Sequence, residues 1–242
     1  FFTGAYRKPR ELNWMIGMTL LVCTLMLGFT GYSLVFEQLS YWGATVGANI
    51  SDTVPVVGPL MKQALLGGET YNDRTLSRFF ILHGAVLPVL LILVLMMHIG
   101  LVRLHGVTEL AFEREAAAAK PFNFFPDHFY TELIIGLTLM ILLSALATLV
   151  PVEMGPRANP QITPEVIKPE WFFYVAFRWL KLFSGVTAVL TQGFIVFVMF
   201  CWPFIDDWLV RRFKYADLSV WIGVVGALTI MGFTLWEALV AH

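Results

Sequence analysis

The chain has 242 residues, of which 58% are hydrophobic, 15% aromatic and 14% charged, and its formal net charge is −1. A soluble domain carries about a quarter charged residues and less than half apolar ones. This composition excludes a disordered chain, a disulfide scaffold and a nucleic-acid binder. It predicts an all-α membrane protein.

Five apolar stretches approach the roughly 20 residues that an α-helix needs to cross a hydrocarbon core. In chain order they are Leu12–Leu34, Phe79–Val102, Leu133–Val150, Val186–Phe204 and Leu218–Val240. Five spans place the two chain ends on opposite sides of the membrane. Nine of the sixteen lysines and arginines fall on the side of the N-terminus, so the positive-inside rule weakly favours a cytoplasmic N-terminus.

The segments between the spans contain sequence patterns that predict shorter structural elements. Asp127 precedes the third span and is placed to cap that helix. Aromatic and cationic residues in Pro169–Phe183 predict a short helix at the membrane interface, and Glu113–Lys120 predicts a short surface helix. Cys23 and Cys201 lie inside apolar runs, where they are expected to behave as small hydrophobic side chains.

The second span contains two histidines, His83 and His98, fifteen residues apart. On an α-helix this spacing separates them by about 22 Å along the axis and roughly 60° around it. Both therefore project from broadly the same face, one near each side of the membrane. Imidazole is a common axial ligand of haem iron. A hydrogen-bonding or proton-relay role remains open, whereas the wide separation disfavours zinc.

Glycines in the first span are a second indication of two cofactor sites at different depths of the membrane. Gly17 and Gly31 are fourteen residues apart, close to the spacing of the histidines. A flat macrocycle packed against a helix needs absent side chains at two levels. Close helix packing is the alternative explanation for these glycines and for Gly28.

Six short motifs follow one another along the chain. The chain opens with Phe-Thr-Gly-Ala-Tyr-Arg-Lys-Pro-Arg-Glu-Leu-Asn-Trp at 2–14 and continues with Thr-Gly-Tyr-Ser at 30–33 and Tyr-Trp-Gly-Ala-Thr-Val at 41–46. Val-Pro-Val-Val-Gly-Pro at 54–59 and Thr-Leu-Ser-Arg-Phe-Phe-Ile-Leu-His at 75–83 lead into the histidine span, and Lys-Pro-Glu-Trp-Phe-Phe lies at 168–173. In this order the motifs resemble cytochrome b of quinol:cytochrome c (or plastocyanin) oxidoreductases, most closely the cytochrome b6 type, which has the same fifteen-residue histidine spacing. The last motif is similar to the Pro-Glu-Trp-Tyr signature of the family's quinol site. The resemblance implies a b6-like part over 1–120 and a subunit IV-like part over 121–242.

The resemblance implies two b-type haems in a cytochrome b-type bundle. His83 would bind the low-potential haem near the positive side and His98 the high-potential haem near the negative side, with Gly31 and Gly17 flanking them. In the family each haem is held by two histidines, and the second pair lies on the first two helices. Those two helices are expected in another chain or in a segment outside this sequence. Arg10 and Arg78 match cationic positions and are expected to pair with haem propionates, with ordinary snorkelling at a helix end as the alternative.

The resemblance also implies two quinone sites. Glu170 would accept a proton from quinol on the positive side, in a partly apolar pocket whose walls include Pro169, Trp171 and Phe173. Tyr32 and 43–46 match the other wall. The negative-side quinone site would involve Arg103 and Asp127, whereas His105 is expected to be a solvated loop residue.

Two departures from the family pattern lie next to the quinol signature. Phe172 replaces the tyrosine of the tetrapeptide, which removes a hydroxyl. Leu-Val-Phe at 34–36 replaces the family's Leu-Pro-Trp. Both changes are expected to alter the positive-side pocket.

The resemblance implies an enzyme subunit that oxidises quinol and moves electrons across an energy-transducing membrane, and a bacterial inner membrane is the one expected. A Rieske iron–sulfur protein, a c-type cytochrome and a dimeric complex are the implied partners. Two other hypotheses stay open: a haem-free structural or channel-like subunit derived from this fold, and a five-helix transporter. A transporter would need a path for its solute, and the two histidines are the only deeply placed ionisable residues in the spans.

Overall fold

The computed structural model describes residues 1–108, 123–214 and 218–240. The described residues form ten α-helices and no β-sheet. The helices are α1 (Glu11–Leu34), α2 (Gln38–Asp52), α3 (Gly58–Leu66), α4 (Asp73–Ile81), α5 (Leu87–His105), α6 (Phe129–Leu149), α7 (Tyr174–Leu182), α8 (Gly185–Phe200), α9 (Trp202–Phe213) and α10 (Leu218–Leu239). The chain divides into two units, one formed by 1–107 and 156–242 and the other by 108–155. The all-α prediction is confirmed.

Four continuous helical stretches are long and apolar enough to cross a membrane. They are Glu11–Leu34, Asp73–His105, Phe124–Leu149 and Leu218–Leu239, and they contain the first, second, third and fifth predicted spans to within one residue at each end. Large apolar side chains on these helices are exposed, for example Leu93 at 59% and Ile134 at 63%. Such exposure over whole helices is suited to lipid rather than to water.

The fourth predicted span, Val186–Phe204, extends beyond the end of the helix observed there. α8 ends at Phe200, and α9 begins at Trp202 after a bend of 71°. Pro203 explains the break, because its ring clashes with the carbonyl of the residue four positions earlier and it has no N–H to donate. That carbonyl, of Met199, instead accepts a hydrogen bond of 2.7 Å from Trp14 Nε1 in α1.

The histidine span is not a uniform α-helix. A π turn over Leu82–Val86 joins α4 to α5, and the Leu87 N–H donates to the carbonyl of Leu82 five residues back. The turn lies directly before Pro88, which cannot donate to an α-helical ladder. The missing N–H of Pro88 thus accounts for a π turn at this point of the span, and His83 lies within that turn.

The segments around the spans are partly as predicted. A 3₁₀ turn over Trp171–Phe173 and then α7 form the predicted short helix. The capping role expected for Asp127 is wrong: this residue lies inside a π turn over Phe124–His128, and no side-chain cap precedes either that turn or α6. The predicted helix Glu113–Lys120 falls outside the described residues.

Helices α2, α3 and α4 form a small apolar core on the side opposite the N-terminus. Its buried members are Tyr41, Ala44, Ala48, Leu66, Tyr71 and Phe79. The rings of Tyr41 and Tyr71 lie 4.9 Å apart, and the Tyr71 hydroxyl donates to the carbonyl of Ser33 at the end of α1 over 3.3 Å. Burial raises the pKa of Tyr71 to about 12. This core holds α2–α4 against the end of α1.

A buried charged cluster, here called the C-terminal clamp, holds the loop before α7 and α7 itself against the end of α10. Glu237 is completely buried, and its carboxylate lies 2.7 Å from Arg178 Nη2 and 3.4 Å from Lys181 Nζ. Lys168 Nζ donates to the carbonyls of Glu237 and Val240 over 3.0 and 2.7 Å. A cation at the carboxyl end of a helix is favourable because the last carbonyls there have no partner within the helix. The clamp therefore fixes both ends of the segment that contains residues 169–173.

A second charged contact fixes the N-terminal segment. Arg7 Nε lies 2.7 Å from the fully buried carboxylate of Asp206 in α9, and Ser219 at the start of α10 donates to the same carboxylate. The rings of Phe1 and Trp202 pack beside it with centroids 5.3 Å apart. These contacts hold residues 1–10 against α9 and α10.

The buried phenol of Tyr71 predicts a loss of stability at alkaline pH. Its folded-state pKa of about 12 is above the ordinary value of 10, so the unfolded chain ionises first. The stability it contributes is complete below pH 10 and is lost as the pH rises towards 12. We expect Tyr71→Phe to weaken this alkaline loss, measured as the unfolding temperature of the purified complex against pH. Tyr174→Phe, at a half-buried tyrosine of α7 outside the long apolar helices, is the control, and an equal change in both variants would contradict the prediction.

The clamp predicts a large cost for removing the charge of Glu237. Glu237→Gln leaves the mostly buried Arg178 guanidinium without its counter-charge, and breaking one side of a buried ion pair costs about 3–5 kcal/mol. We expect a clearly lower unfolding temperature of the complex in detergent. Asp207→Asn removes an exposed ion pair with Arg211 and should cost under about 1 kcal/mol. Equal unfolding temperatures of the two variants would show that the clamp does not stabilise the fold.

Candidate functional site

The two histidines of the second span face the glycines of α1. A Cβ at position 31 would lie 2.7 Å from His83 Cε1, and a Cβ at position 17 would lie 3.4 Å from His98 Cε1. The first distance is shorter than real Cβ contacts, so a side chain at position 31 would displace the imidazole. The glycine spacing and the histidine spacing therefore correspond to two real contacts between α1 and the histidine span.

The two imidazoles differ in their hydrogen bonds. His83 Nδ1 lies 3.1 Å from Oγ1 of Thr30, a residue that is completely buried in α1. His98 Nδ1 is buried without a hydrogen-bond partner among the described residues. Both rings are half-buried.

These residues fit haem better than a metal held by protein alone. Among the described residues, no three histidine, cysteine, aspartate or glutamate side chains come together as a metal site. Each histidine instead presents a single ring beside a helix surface that lacks side chains. Haem iron needs one or two such axial ligands and a flat surface for the macrocycle.

The two arginines expected to pair with propionates have other partners. Arg10 Nε and Nη2 donate to the carbonyls of Gly106 and Val107 over 3.1 and 2.9 Å, after the end of α5. Arg78 Nη1 donates to the carbonyls of Gln63 and Ala64 over 2.9 and 2.6 Å, near the end of α3. A guanidinium has five N–H donors, so these bonds leave further donors on each arginine. The propionate role of both residues stays a prediction.

An apolar cavity of about 150 Å³ lies on the side opposite the N-terminus. Of the residues predicted for the quinol pocket, Pro169, Phe173, Gly43 and Val46 line it. Tyr32 and Trp171 do not, and the Trp171 side chain is 67% exposed. The cavity therefore brings together the two predicted walls but not all of their predicted members.

Sequence reasoning missed seven lining residues: Phe29, Gly47, Ile50, Ile167, Ala176, Phe177 and Leu180. A periodic signal was available for most of them. Lining positions 43, 46, 47 and 50 on α2 and 173, 176, 177 and 180 on and before α7 both follow the i, i+3, i+4, i+7 spacing of one helix face. Gly47 also lets α1 approach closely, since a Cβ there would lie 2.9 Å from Phe29 Cζ.

Glu170 lies beside the cavity and not in it. Its carbonyl accepts a hydrogen bond from the N–H of Phe173 over 2.8 Å, which begins the 3₁₀ turn. The neighbouring Pro169 and the more distant Phe173 line the cavity, while the Glu170 side chain is exposed. The tetrapeptide thus places an apolar wall and an acidic group side by side.

Neither departure from the family pattern lines the cavity. Phe172 packs against α1, where a Cβ on Gly28 would lie 2.9 Å from its ring. Phe36 has a positive φ of 56°, and its ring packs against Tyr71 at 5.8 Å in the apolar core of α2–α4. Both substitutions therefore adjust the packing around the cavity.

The residues expected at the other quinone site are less well defined. Arg103 is exposed at the end of α5, and His105 is half-buried with a buried Nδ1 that has no hydrogen-bond partner among the described residues. The expectation of a solvated His105 is therefore wrong for that nitrogen. Asp127 is exposed and belongs to the separate unit 108–155.

Two family models together match almost the whole chain. The model described as cytochrome b (N-terminal)/b6/petB matches residues 1–157, and the one described as cytochrome b (C-terminal)/b6/petD matches residues 157–240. The division predicted between residues 120 and 121 falls within residues that the structure does not describe and stays a prediction.

Individual relatives agree with the family models. The chain is 38% identical over 214 residues to a cytochrome bc complex cytochrome b subunit from Chlorobaculum thiosulfatiphilum, an alignment covering 85% of this chain and 49% of the relative. It is 46% identical over 109 residues to cytochrome b6 of Heliomicrobium gestii, covering 45% of this chain and 51% of the relative. The chain thus spans about half the length of these curated relatives.

A solved structure shares the fold. A chain of a hyperthermophilic respiratory Complex III superposes with a TM-score of 0.76 at 23% sequence identity, covering 100% of this chain and 66% of that one. Together with the long apolar helices, these relationships make the protein an integral, multi-pass membrane protein. The chain belongs to the cytochrome b/b6 family.

Proposed function

We propose that this chain is part of the cytochrome b subunit of a membrane quinol:cytochrome c oxidoreductase. The observation that carries the proposal is the pair of contacts between His83 and Gly31 and between His98 and Gly17, at two depths of α1. The apolar cavity beside Glu170 adds a site for quinol on one side of the membrane.

His83 and His98 would each supply one axial ligand to a b-type haem. The second ligand of each haem would come from histidines outside these 242 residues, on the family's first two helices. When bound, the two haems would carry electrons one at a time between the two sides of the membrane. Gly31 and Gly17 keep α1 free of side chains at both levels.

Oxidation of quinol releases two electrons and two protons, so the site needs an apolar surface for the ring and a base in contact with water. The cavity supplies the apolar surface. Its volume of about 150 Å³ is smaller than the roughly 300–1,000 Å³ of typical ligand pockets, so it suits the ring of the quinol rather than the whole tailed molecule. The exposed carboxylate of Glu170, next to the lining residue Pro169, would take a proton from the ring and pass it to water on the positive side.

The remaining parts of the proposal follow the family. One electron from quinol would leave through a Rieske iron–sulfur protein and a c-type cytochrome. The other would reach a quinone on the negative side, where Arg103 and Asp127 are the proposed contacts. A dimeric complex in an energy-transducing membrane, such as a bacterial inner membrane, would hold these components.

The haem proposal predicts two separable signals. A redox-difference spectrum of the purified complex should show two b-type components, and His83→Leu and His98→Leu should each remove a different one because each loses one axial ligand. Two unchanged components in both variants would contradict the ligand roles. A wild-type complex without b-type components would instead support the haem-free structural subunit.

The proton-acceptor proposal predicts a kinetic effect of Glu170. Glu170→Gln keeps the shape of the side chain but removes its basicity, and general base catalysis contributes about 10²-fold or more to a rate. We expect the rate of quinol oxidation by the complex to fall by roughly this factor.

The matched control is Glu165→Gln, at an exposed glutamate in the same loop that does not line the cavity. This variant should retain the wild-type rate. A full quinol oxidation rate in Glu170→Gln across the pH range would exclude Glu170 as the base.

A further inference from the structure

Among the described residues, the only side-chain hydrogen bond of the histidine pair joins His83 to Thr30, one residue before Gly31 in α1. Its Oγ1 lies 3.1 Å from His83 Nδ1, and the residue has no exposed surface. A buried polar contact of this kind holds an imidazole in one orientation, because rotating the ring away would leave a polar atom unpaired.

The direction of this hydrogen bond follows from the proton count at Thr30. A threonine hydroxyl has one proton and can accept two further hydrogen bonds. Oγ1 lies 2.8 Å from the backbone carbonyl of Met26 and 3.3 Å from that of Leu27. Since carbonyls only accept, the hydroxyl proton is directed at α1. His83 Nδ1–H must therefore donate to Thr30 Oγ1.

This arrangement selects one tautomer of His83. With the proton on Nδ1, Nε2 carries the free lone pair that can bind a metal. A hydrogen bond from the other ring nitrogen makes the ligating nitrogen a stronger donor of electron density. A stronger donor favours the more positive, oxidised iron and lowers the reduction potential.

The second histidine lacks this partner. His98 Nδ1 is buried and forms no hydrogen bond to the described residues, and a Cβ at Gly17 of α1 would lie 3.9 Å from this nitrogen. Among the described residues, therefore, the two imidazoles differ in the hydrogen bonding of Nδ1, although both rings face α1.

We propose that Thr30 is a positioning residue that fixes the orientation and tautomer of His83 and lowers the reduction potential of the haem bound there, relative to the haem at His98. This inference rests on the proposed function, because it needs a haem at each histidine. It provides a structural reason, within this chain, for a difference in reduction potential between the two haem sites.

The test is a redox titration of the b-type absorption bands in the purified complex. In Thr30→Val, which keeps the shape but removes the acceptor, the component that His83→Leu abolishes should shift to a higher potential, and the other component should stay unchanged. Thr30→Ser, which restores a hydroxyl, should return the potential towards the wild-type value. Thr19→Val is the matched control in α1, since the Thr19 hydroxyl donates to the carbonyl of Met15 and has no other hydrogen bond to the described residues, and it should shift neither component.

The outcomes separate this inference from the proposed function. An unchanged potential in Thr30→Val, with both components present, overturns the role of Thr30 alone. Equal shifts of both components in Thr30→Val also overturn it, because only His83 contacts the hydroxyl. If Thr30→Val does not assemble, Thr30→Ala, which leaves space instead of a methyl group, carries the same measurement. A wild-type complex without b-type bands overturns the proposed function itself.

Discussion

The close contact between α1 and the histidine span is the constraint on which the rest of the structure depends. A membrane interior offers no water to separate helices, so two helices approach closely only where small residues allow it. In this chain Gly31 and Gly17 allow it, and each faces an imidazole. The contact fixes the two rings at two depths of the membrane and places Thr30 against one of them. The end of α1 in turn contacts the core of α2–α4, beside which the cavity lies.

Few charged side chains are buried among the described residues, and the buried carboxylates lie in ion pairs between separate segments. Asp206 and Glu237 are both completely buried carboxylates, and each contacts an arginine at 2.7 Å. A buried charge is costly unless it is paired, so each pair forces the segments that carry it to pack together. One pair fixes the N-terminal segment on one side of the membrane. The other fixes the segment that contains Pro169 and Glu170 on the opposite side, so the geometry of the proposed quinol site depends on the end of a distant helix.

The proposed site separates two tasks that quinol oxidation requires. Apolar faces of α2 and α7 surround the cavity, and the single acidic group of the signature lies outside it, exposed to solvent. A base in contact with solvent can pass a proton on to water, which the apolar lining of the cavity cannot do. The substitutions at positions 36 and 172 change the packing behind these faces. Phe36 fills the neighbouring core and Phe172 fills the space left by Gly28.

The sequence by itself determined the helical class, four of the five spans, the histidine pair and the glycines that face it. These features depend on local composition and on the helical period, and both can be read directly from the linear sequence. Only the tertiary structure showed which residue bonds the carbonyl that Pro203 leaves without its helical donor, because Trp14 reaches the Met199 carbonyl from 185 residues away. It also decided that Arg10 and Arg78 bind helix-end carbonyls, that Trp171 and Glu170 lie outside the cavity, and that Glu237 pairs with Arg178. Each of these outcomes depends on which residues distant in the chain meet, and no local pattern carries that information.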